Sequence, residues 1–303
     1  MTLVQKVKNG IKWFTPYGII IKRGQKFKKI QTEIKDYFLN LNTDDPEIIE
    51  IIDFIKKHGV SIFPYEFSRK YHASDIDVFF DNTTKMRYVI HENKKLYFPE
   101  DWNDENIQIH YNGMRMDQDE NSPHRYEADG FVVREGDIIA DVGAAEGIWA
   151  LSNVEKAGKI YLFECDQGWK KALQKTFEPW KEKVIMVDKY VSNIDDHKNV
   201  TLDCFFDKNP IDFIKADIEG MELKLLEGSK GILSNNDRIK LLLCAYHSEK
   251  DGTEIKEILE KNGFKTEYSK RYMLFIFDKR LKKPYIRRCL VRAMKSGAQK
   301  REP

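Results

Sequence analysis

Cysteine is scarce in this chain: four residues in 303, at positions 165, 204, 244 and 289. They stand too far apart for a metal-ligand spacing, and a chain of this length does not need disulfide staples. The expectation is a reducing, cytoplasmic setting. Long apolar runs are missing too. No stretch approaches the roughly 20 apolar residues of a membrane span. Lys6, Lys8 and Lys12 are not followed by an apolar run of signal-peptide length. Internal repeats and low-complexity tracts are absent. A composition 41% hydrophobic and 33% charged suits an ordinary globular chain rather than a disordered one.

Acidic residues are missing from both ends. Residues 1–30 carry eight Lys/Arg and no acid, and residues 279–303 carry ten Lys/Arg and one acid, Glu302. Apolar residues accompany them: Trp13, Phe14, Tyr17 and Ile19–Ile21 at the front, Tyr285, Ile286, Leu290, Val291 and Met294 at the back. Basic and apolar residues together suit peripheral docking on an anionic membrane surface, the inner face in a cytoplasmic protein. Solvated tails are the plainer alternative.

The pattern along the chain divides it into four parts. Residues 1–43 read as a basic, partly helical arm. Residues 44–113 read as a small α+β region. Asp44, Asp45 and Pro46 start a helix there, and Ile48, Ile49, Ile51, Ile52 and Ile55 recur at helical spacing before Gly59. The runs 76–80, 87–91 and 95–98 then read as strands, the last two as a hairpin. Residues 112–130 are polar and turn-rich, a connecting loop. Residues 114–278 form the main domain and 279–303 a basic tail.

After Gly136 strands and helices alternate. Strands are expected at 137–142, 159–164, 183–187, 211–217 and 238–246, and helices over 147–157, 169–177, 221–233 and 254–261. FKTEYS and RYMLFIFD, the latter over 271–278, follow as two strands with no helix between them. Such alternation predicts an α/β fold, a doubly wound, mostly parallel seven-stranded sheet. The closing hairpin adds an antiparallel C-terminal edge.

The chemistry is concentrated at Asp141-Val142-Gly143-Ala144-Ala145-Glu146-Gly147, between a strand and a helix. Gly143 and Gly147 permit close backbone approach, and Ala144 and Ala145 leave room for a ligand. Free N–H groups at a helix start favour a carboxylate. Glu164 ends the next strand, where a carboxylate can accept both hydroxyl hydrogens of a ribose. Asp188, Lys189 and Tyr190 end the third strand, beside an adenine by topology. These features together suit S-adenosylmethionine (SAM). A nicotinamide dinucleotide would need the third glycine of G-x-G-x-x-G for its pyrophosphate, and this turn reads G-x-A-x-G.

The sequence resembles the FkbM family of SAM-dependent methyltransferases over about Ser122 to Phe277. The resemblance rests on GDIIADVGAAEG, YLFECD, TLDCFF and above all IDFIKADIEGMELKLLEGSKGIL. It implies a class I methyltransferase fold, SAM as cofactor, and O-methylation of sugars, polyketides or other metabolites. SPHRY (Ser122–Tyr126) looks like a subgroup feature. Cys165 stands where proline is common after the ribose acid, and Met221 where a smaller residue is usual.

Asp217 and Glu219 follow the fourth strand and His247 the fifth. In an open parallel sheet these ends adjoin the ligand crevice. A hydroxyl acceptor must be positioned and lose its proton. His247 is the natural base near neutral pH, with Glu219 or Asp217 orienting it or acting instead. The plainer alternatives are a helix cap for Asp217, dipole complements for Glu219 and Glu222, and a strand-end histidine. A metal held by Asp217 and Glu219 lacks an evident third ligand, so none is expected. His124, Arg125 and Tyr126 enter the first strand from the loop side, where they either contact the acceptor as a lid or pin the linker.

The leading function is an O-methyltransferase acting on a glycan, a lipid-linked sugar or a small metabolite. An RNA methyltransferase is the alternative suggested by the basic ends. Against nucleic acid stands DIEG, where base N-methyltransferases carry an Asn/Asp-Pro-Pro-aromatic signature. A SAM-binding module without catalysis is the third reading.

Overall fold

The computed structural model describes residues 24–207, 209–276, 278 and 281–295. They fall into two compact units that interleave along the chain. The first takes the described residues up to Val78, together with Asp101–Pro123 and Arg271–Arg287. The second takes Phe79–Glu100, His124–Lys270 and the chain from Arg288 onward. The sequence divisions expected at 113/114 and 278/279 therefore do not separate the units. No helix among the described residues is long and apolar enough to cross a membrane.

The first unit holds three helices: α1 (Gly24–Leu39), α2 (Pro46–His58) and α3 (Asp104–Asp117). The start of α2 is fixed by Asp45, whose carboxylate accepts from the Glu47 N–H, and by Pro46 in the first turn. Ile48, Ile51, Ile52 and Ile55 are buried, and Ile49 is exposed. Replacing Asp45 with Ala orphans that N–H and should cost about 1 kcal/mol. Urea unfolding of the variant against the parent checks the value.

Two expectations fail in this unit. Residues 112–117 are the last turns of α3 rather than loop, because Ile107, Tyr111 and Met116 supply a buried face that the intervening polar residues conceal. Residues 271–276 form no strand of the main sheet. Met273 and Leu274 are buried, and the Leu274 N–H donates to the Ile62 carbonyl.

The second unit begins with a three-stranded antiparallel sheet: β1 (Phe79–Asp81), β2 (Met86–His91) and β3 (Lys94–Tyr97). It was expected with the N-terminal region, but its contacts run to the main domain. His91 Nε2 lies 2.8 Å from Ser152 Oγ, and the Tyr97 N–H donates to Thr176 Oγ1 at 3.0 Å.

The main sheet follows. Its strands are β4 (Ile138–Val142), β5 (Lys159–Phe163), β6 (Val184–Val187), β9 (Phe213–Ala216), β10 (Lys240–Cys244), β11 (Lys265–Tyr268) and β12 (Leu290–Met294). A two-stranded pair, β7 (Tyr190–Val191) with β8 (Asn199–Val200), lies outside it. The order is β11-β12-β10-β9-β4-β5-β6, and β12 is antiparallel to both of its neighbours. This is the class I methyltransferase topology. The helices between the strands are α4 (Ile148–Asn153), α5 (Gln167–Thr176), α6 (Leu202–Phe206), α7 (Glu222–Glu227), α8 (Lys230–Asn235) and α9 (Asp251–Lys261). The single helix expected over 221–233 is two, broken at Gly228, where a Cβ would lie 2.1 Å from the Ser192 carbonyl oxygen.

β12 corrects the reading of the C-terminus. Leu290 and Val291 are fully buried in the sheet rather than offered to a membrane, and Tyr285 is buried as well. The basic side chains are also used within the protein. Arg292 Nη2 donates to the Arg125 carbonyl at 2.6 Å, Lys295 Nζ to the Ser234 carbonyl, and Arg287 pairs with Asp278. Trp13, Phe14, Tyr17 and Ile19–Ile21 lie outside the described residues.

Candidate functional site

Parallel pairing brings the ends of β5, β4, β9 and β10 side by side, and the candidate residues sit just beyond them. The turn after β4 is the tightest point. Gly143 adopts φ +73, and a Cβ there would lie 2.1 Å from the Asp217 carbonyl oxygen. Only glycine lets these two strand ends approach so closely. Gly147 adopts φ +75, and a Cβ there would meet Leu173 at 2.6 Å, so its size sets the packing of α4 on α5. Ala145 lies between them at φ +46, Ala144 and Glu146 are buried, and the Gly147 N–H closes the turn on the Ala144 carbonyl.

Glu164 folds back on this turn. Its Oε2 accepts from the Ala145 N–H at 2.9 Å, and its Oε1 accepts from the N–H groups of Cys165 and Asp166. Burial pushes its carboxyl above the ordinary range, and the three N–H donors oppose that rise. Burial also pushes the neighbouring Cys165 thiol up to about 12, so it stays protonated.

Asp141 is not at the surface of the turn. It is buried against Lys215, its partner in the β4–β9 register, with Nζ 2.8 Å from Oδ1. The same ammonium donates to the Gly143 carbonyl at 3.1 Å. Burial works against the Lys215 charge, but Asp141 and Asp217 outweigh it and raise its pKa. Asp141 Oδ2 is buried with no hydrogen-bond partner. Lys215 is a site residue the sequence reading missed. A lysine inside the apolar run IDFIKA and an aspartate inside DIIADV, each near its strand's end, are the signal it carried.

Asp217 is the hub of the next cluster. The hydroxyls of Tyr246 and Tyr126 reach it at 3.3 and 3.4 Å, and His247 Nε2 lies 3.6 Å away. Burial opposes its charge, yet His247 and Lys215 hold its carboxyl below the usual value. It caps no helix: α7 begins only at Glu222 and has no side-chain cap. Glu222 is buried, its Oε1 accepting from the Ile218 N–H at 3.0 Å and lying 3.5 Å from His247 Nδ1. Glu219 occupies a left-handed position, φ +61, in the turn before α7. Desolvation first, then Asp217 and Glu222, push its carboxyl up to about 9.

The SPHRY residues divide. Tyr126 reaches Asp217 and lies beneath the Lys215 ammonium, 5.2 Å from ring centre to Nζ. His124 is buried between the rings of Tyr126 and Tyr246, and its Nε2 is 3.9 Å from Cys244 Sγ. Burial lowers its pKa to about 4, so it is neutral. Arg125 is tied through its carbonyl to Arg292, the pinning role. Beyond β6, Asp188 pairs with Lys170 and Lys189 Nζ donates to the Asp196 carbonyl. Tyr190 is half-exposed, its pKa raised by burial and then by Cys165 and Glu164.

No third ligand joins Asp217 and Glu219 among the described residues. Two groups have ligand atoms mutually within 4.8 Å: Asp217, Glu222 and His247, and His124, Asp217 and Cys244. Glu219 belongs to neither.

Residues 189–266 match the methyltransferase FkbM domain family. The match contains the IKADIEG block and leaves the turn after β4 and SPHRY outside it. No curated protein is significantly similar to this chain in sequence. Among solved structures, a methyltransferase FkbM from Methylobacillus flagellatus KT is 18% identical, covering 62% of this chain and 52% of that chain at a TM-score of 0.43. This chain thus spans about half the length of that protein. A precorrin-6y C5,15-methyltransferase from Geobacter metallireducens GS-15 is 16% identical over 54% of this chain and 81% of that one, TM-score 0.38. An rRNA methylase from Streptococcus thermophilus is 18% identical over 54% and 89%, TM-score 0.38.

Proposed function

We infer that this chain, which matches the methyltransferase FkbM domain family over residues 189–266, is a SAM-dependent methyltransferase acting on a hydroxyl of a glycan, a lipid-linked sugar or a small metabolite. One observation carries the reading. The Asp141–Gly147 turn, Glu164 and Asp217 stand at the carboxyl ends of three adjacent parallel strands, where open α/β sheets hold their ligands.

The residues fit the cofactor. Asp141 Oδ2 is a buried acceptor without a partner, suited to an amino group. Glu164 is held in place by three backbone donors and keeps one lone-pair site, on Oε2, for a ribose hydroxyl. The small turn residues Gly143–Ala145 leave backbone open to a ligand. Bound SAM supplies a methyl group made electrophilic by its sulfonium. The chain must hold an acceptor hydroxyl in line with that group and take its proton. Asp217, held ionised, and His247 are the residues able to receive it, and Tyr126 and Tyr246 fix the Asp217 carboxylate.

Calorimetric titration tests the cofactor half. Wild-type protein should bind SAM, and Glu164→Ala should weaken binding at least about tenfold, the loss of one charge-assisted hydrogen bond. Undiminished affinity in the variant would remove Glu164 from the site. Transfer of labelled methyl from SAM to lipid-linked glycan extracts tests the acceptor half, and no transfer by a SAM-binding protein counts against it.

A further inference from the structure

We propose that Asp217, Glu222 and His247 form a binding site for one divalent first-row metal ion.

The first support is the ligand set. Two carboxylates and an imidazole from three different places in the fold, the end of β9, the start of α7 and the end of β10, offer atoms mutually within 4.8 Å. Carboxylate and imidazole together suit ions such as Mn²⁺, Fe²⁺ or Zn²⁺. His247 Nε2 is 3.6 Å from Asp217 Oδ1, and Nδ1 is 3.5 Å from Glu222 Oε1. Both distances exceed a good hydrogen bond. His247 faces Asp217 through Nε2 and Glu222 through Nδ1, so one nitrogen binds the ion and the other faces the remaining carboxylate.

The second support is independent of that spacing. Glu222 is 1% exposed, and its Oε2 has no hydrogen-bond partner. A buried carboxylate oxygen left without a donor is costly unless a cation supplies the missing interaction. Charge points the same way. The nearby Lys215 ammonium is committed to Asp141 and the Gly143 carbonyl.

The second cluster is the weaker candidate. It lacks the buried, unpartnered carboxylate oxygen that Glu222 brings to the first, and its His124 is held between the rings of Tyr126 and Tyr246. Three protein ligands at the chosen cluster leave coordination positions for water or for oxygens of an acceptor. The metal assignment deepens the proposed acceptor end of the site but does not depend on SAM.

Chelator-treated full-length protein, titrated with Mn²⁺ and read by the paramagnetic resonance of the free ion, tests it. The expected result is one saturable site per chain, weakened about tenfold or more in Glu222→Gln and in His247→Gln. SAM affinity, measured on the same samples, should be unchanged in both variants, which separates ligand loss from misfolding and from failure of the cofactor reading. Should either variant not fold, nitrogen hyperfine coupling to Mn²⁺ in the wild type reports the histidine directly. No saturable binding at millimolar Mn²⁺, equal binding in the variants, or bound Mn²⁺ without nitrogen coupling would each overturn the site.

Discussion

Gly143→Ala should lose SAM binding and lower the melting temperature by roughly 5–10 °C, the shift expected for about 3 kcal/mol in a chain this size. Two costs combine. A left-handed φ of +73 is strained for alanine by about 1–2 kcal/mol. The new methyl would also sit 2.1 Å from the Asp217 carbonyl oxygen and 3.0 Å from Ile218 Cγ2. Backbone must therefore move, and it belongs to the residue at the centre of the acceptor end. Gly130→Ala separates the two effects. Gly130 has φ +76 with nothing within 4 Å of its added Cβ, so it should show the dihedral cost alone and bind SAM normally. Differential scanning fluorimetry and calorimetric titration of both variants decide the matter. Equal behaviour of the two would mean that the contact with Asp217 is relieved without cost.

Lys215→Met should destabilise the protein by about 3 kcal/mol or more at neutral pH, because it leaves Asp141 charged and unpaired where it is 1% exposed. Burial already raises the Asp141 pKa, and Lys215 is the group that opposes the rise. Removing it raises the folded-state value further above the unfolded one. Stability linked to such a group is present below the unfolded pKa and is lost as pH rises towards the folded one. The variant's deficit should therefore shrink as pH is lowered towards about 4. The double variant Lys215→Met with Asp141→Leu removes both charges and should recover most of the stability, as apolar replacement of buried pairs often does. It should not recover SAM affinity, since the Asp141 acceptor is gone. Urea midpoints at pH 4.5 and 7.5 would show the pattern. A deficit independent of pH would mean that Asp141 is not the group affected.

What could be read in the sequence follows from how locally each feature is encoded. The turn after β4 and Glu164 were legible because strand, glycine turn and acid fall within the 27 residues from Ile138 to Glu164, whose spacing is itself the chemistry. The parallel strands were legible because burial on both faces leaves near-continuous apolar runs. The last strand was not. Leu290–Met294 is a short run set among arginines and lysines, whereas residues 271–276 present a longer apolar run that is buried in the other unit. Periodicity reports that a segment is buried but not which partner buries it. The acceptor end shows the same limit. Asp217 and His247 were singled out from strand ends, but Glu222 looked like a helix-dipole complement. Its approach to His247 depends on the left-handed pair Glu219–Gly220, which turns the chain before α7. The Lys215–Asp141 pair needed the β4–β9 register, which no single strand contains.

The place of β12 in the main sheet has a consequence for synthesis on the ribosome. β10 and β11 are separated by the strand that emerges last, and between β11 and β12 the chain contributes Arg271–Arg287 to the other unit. A nascent chain ending before residue 290 therefore presents β10 and β11 with unpaired edges, the kind of surface that recruits foreign strands. The sheet behind the candidate site cannot close before β12 is made. It becomes complete only after Leu290–Met294 has left the exit tunnel, so the folding of this end waits on a strand that follows a detour of the chain through the other unit.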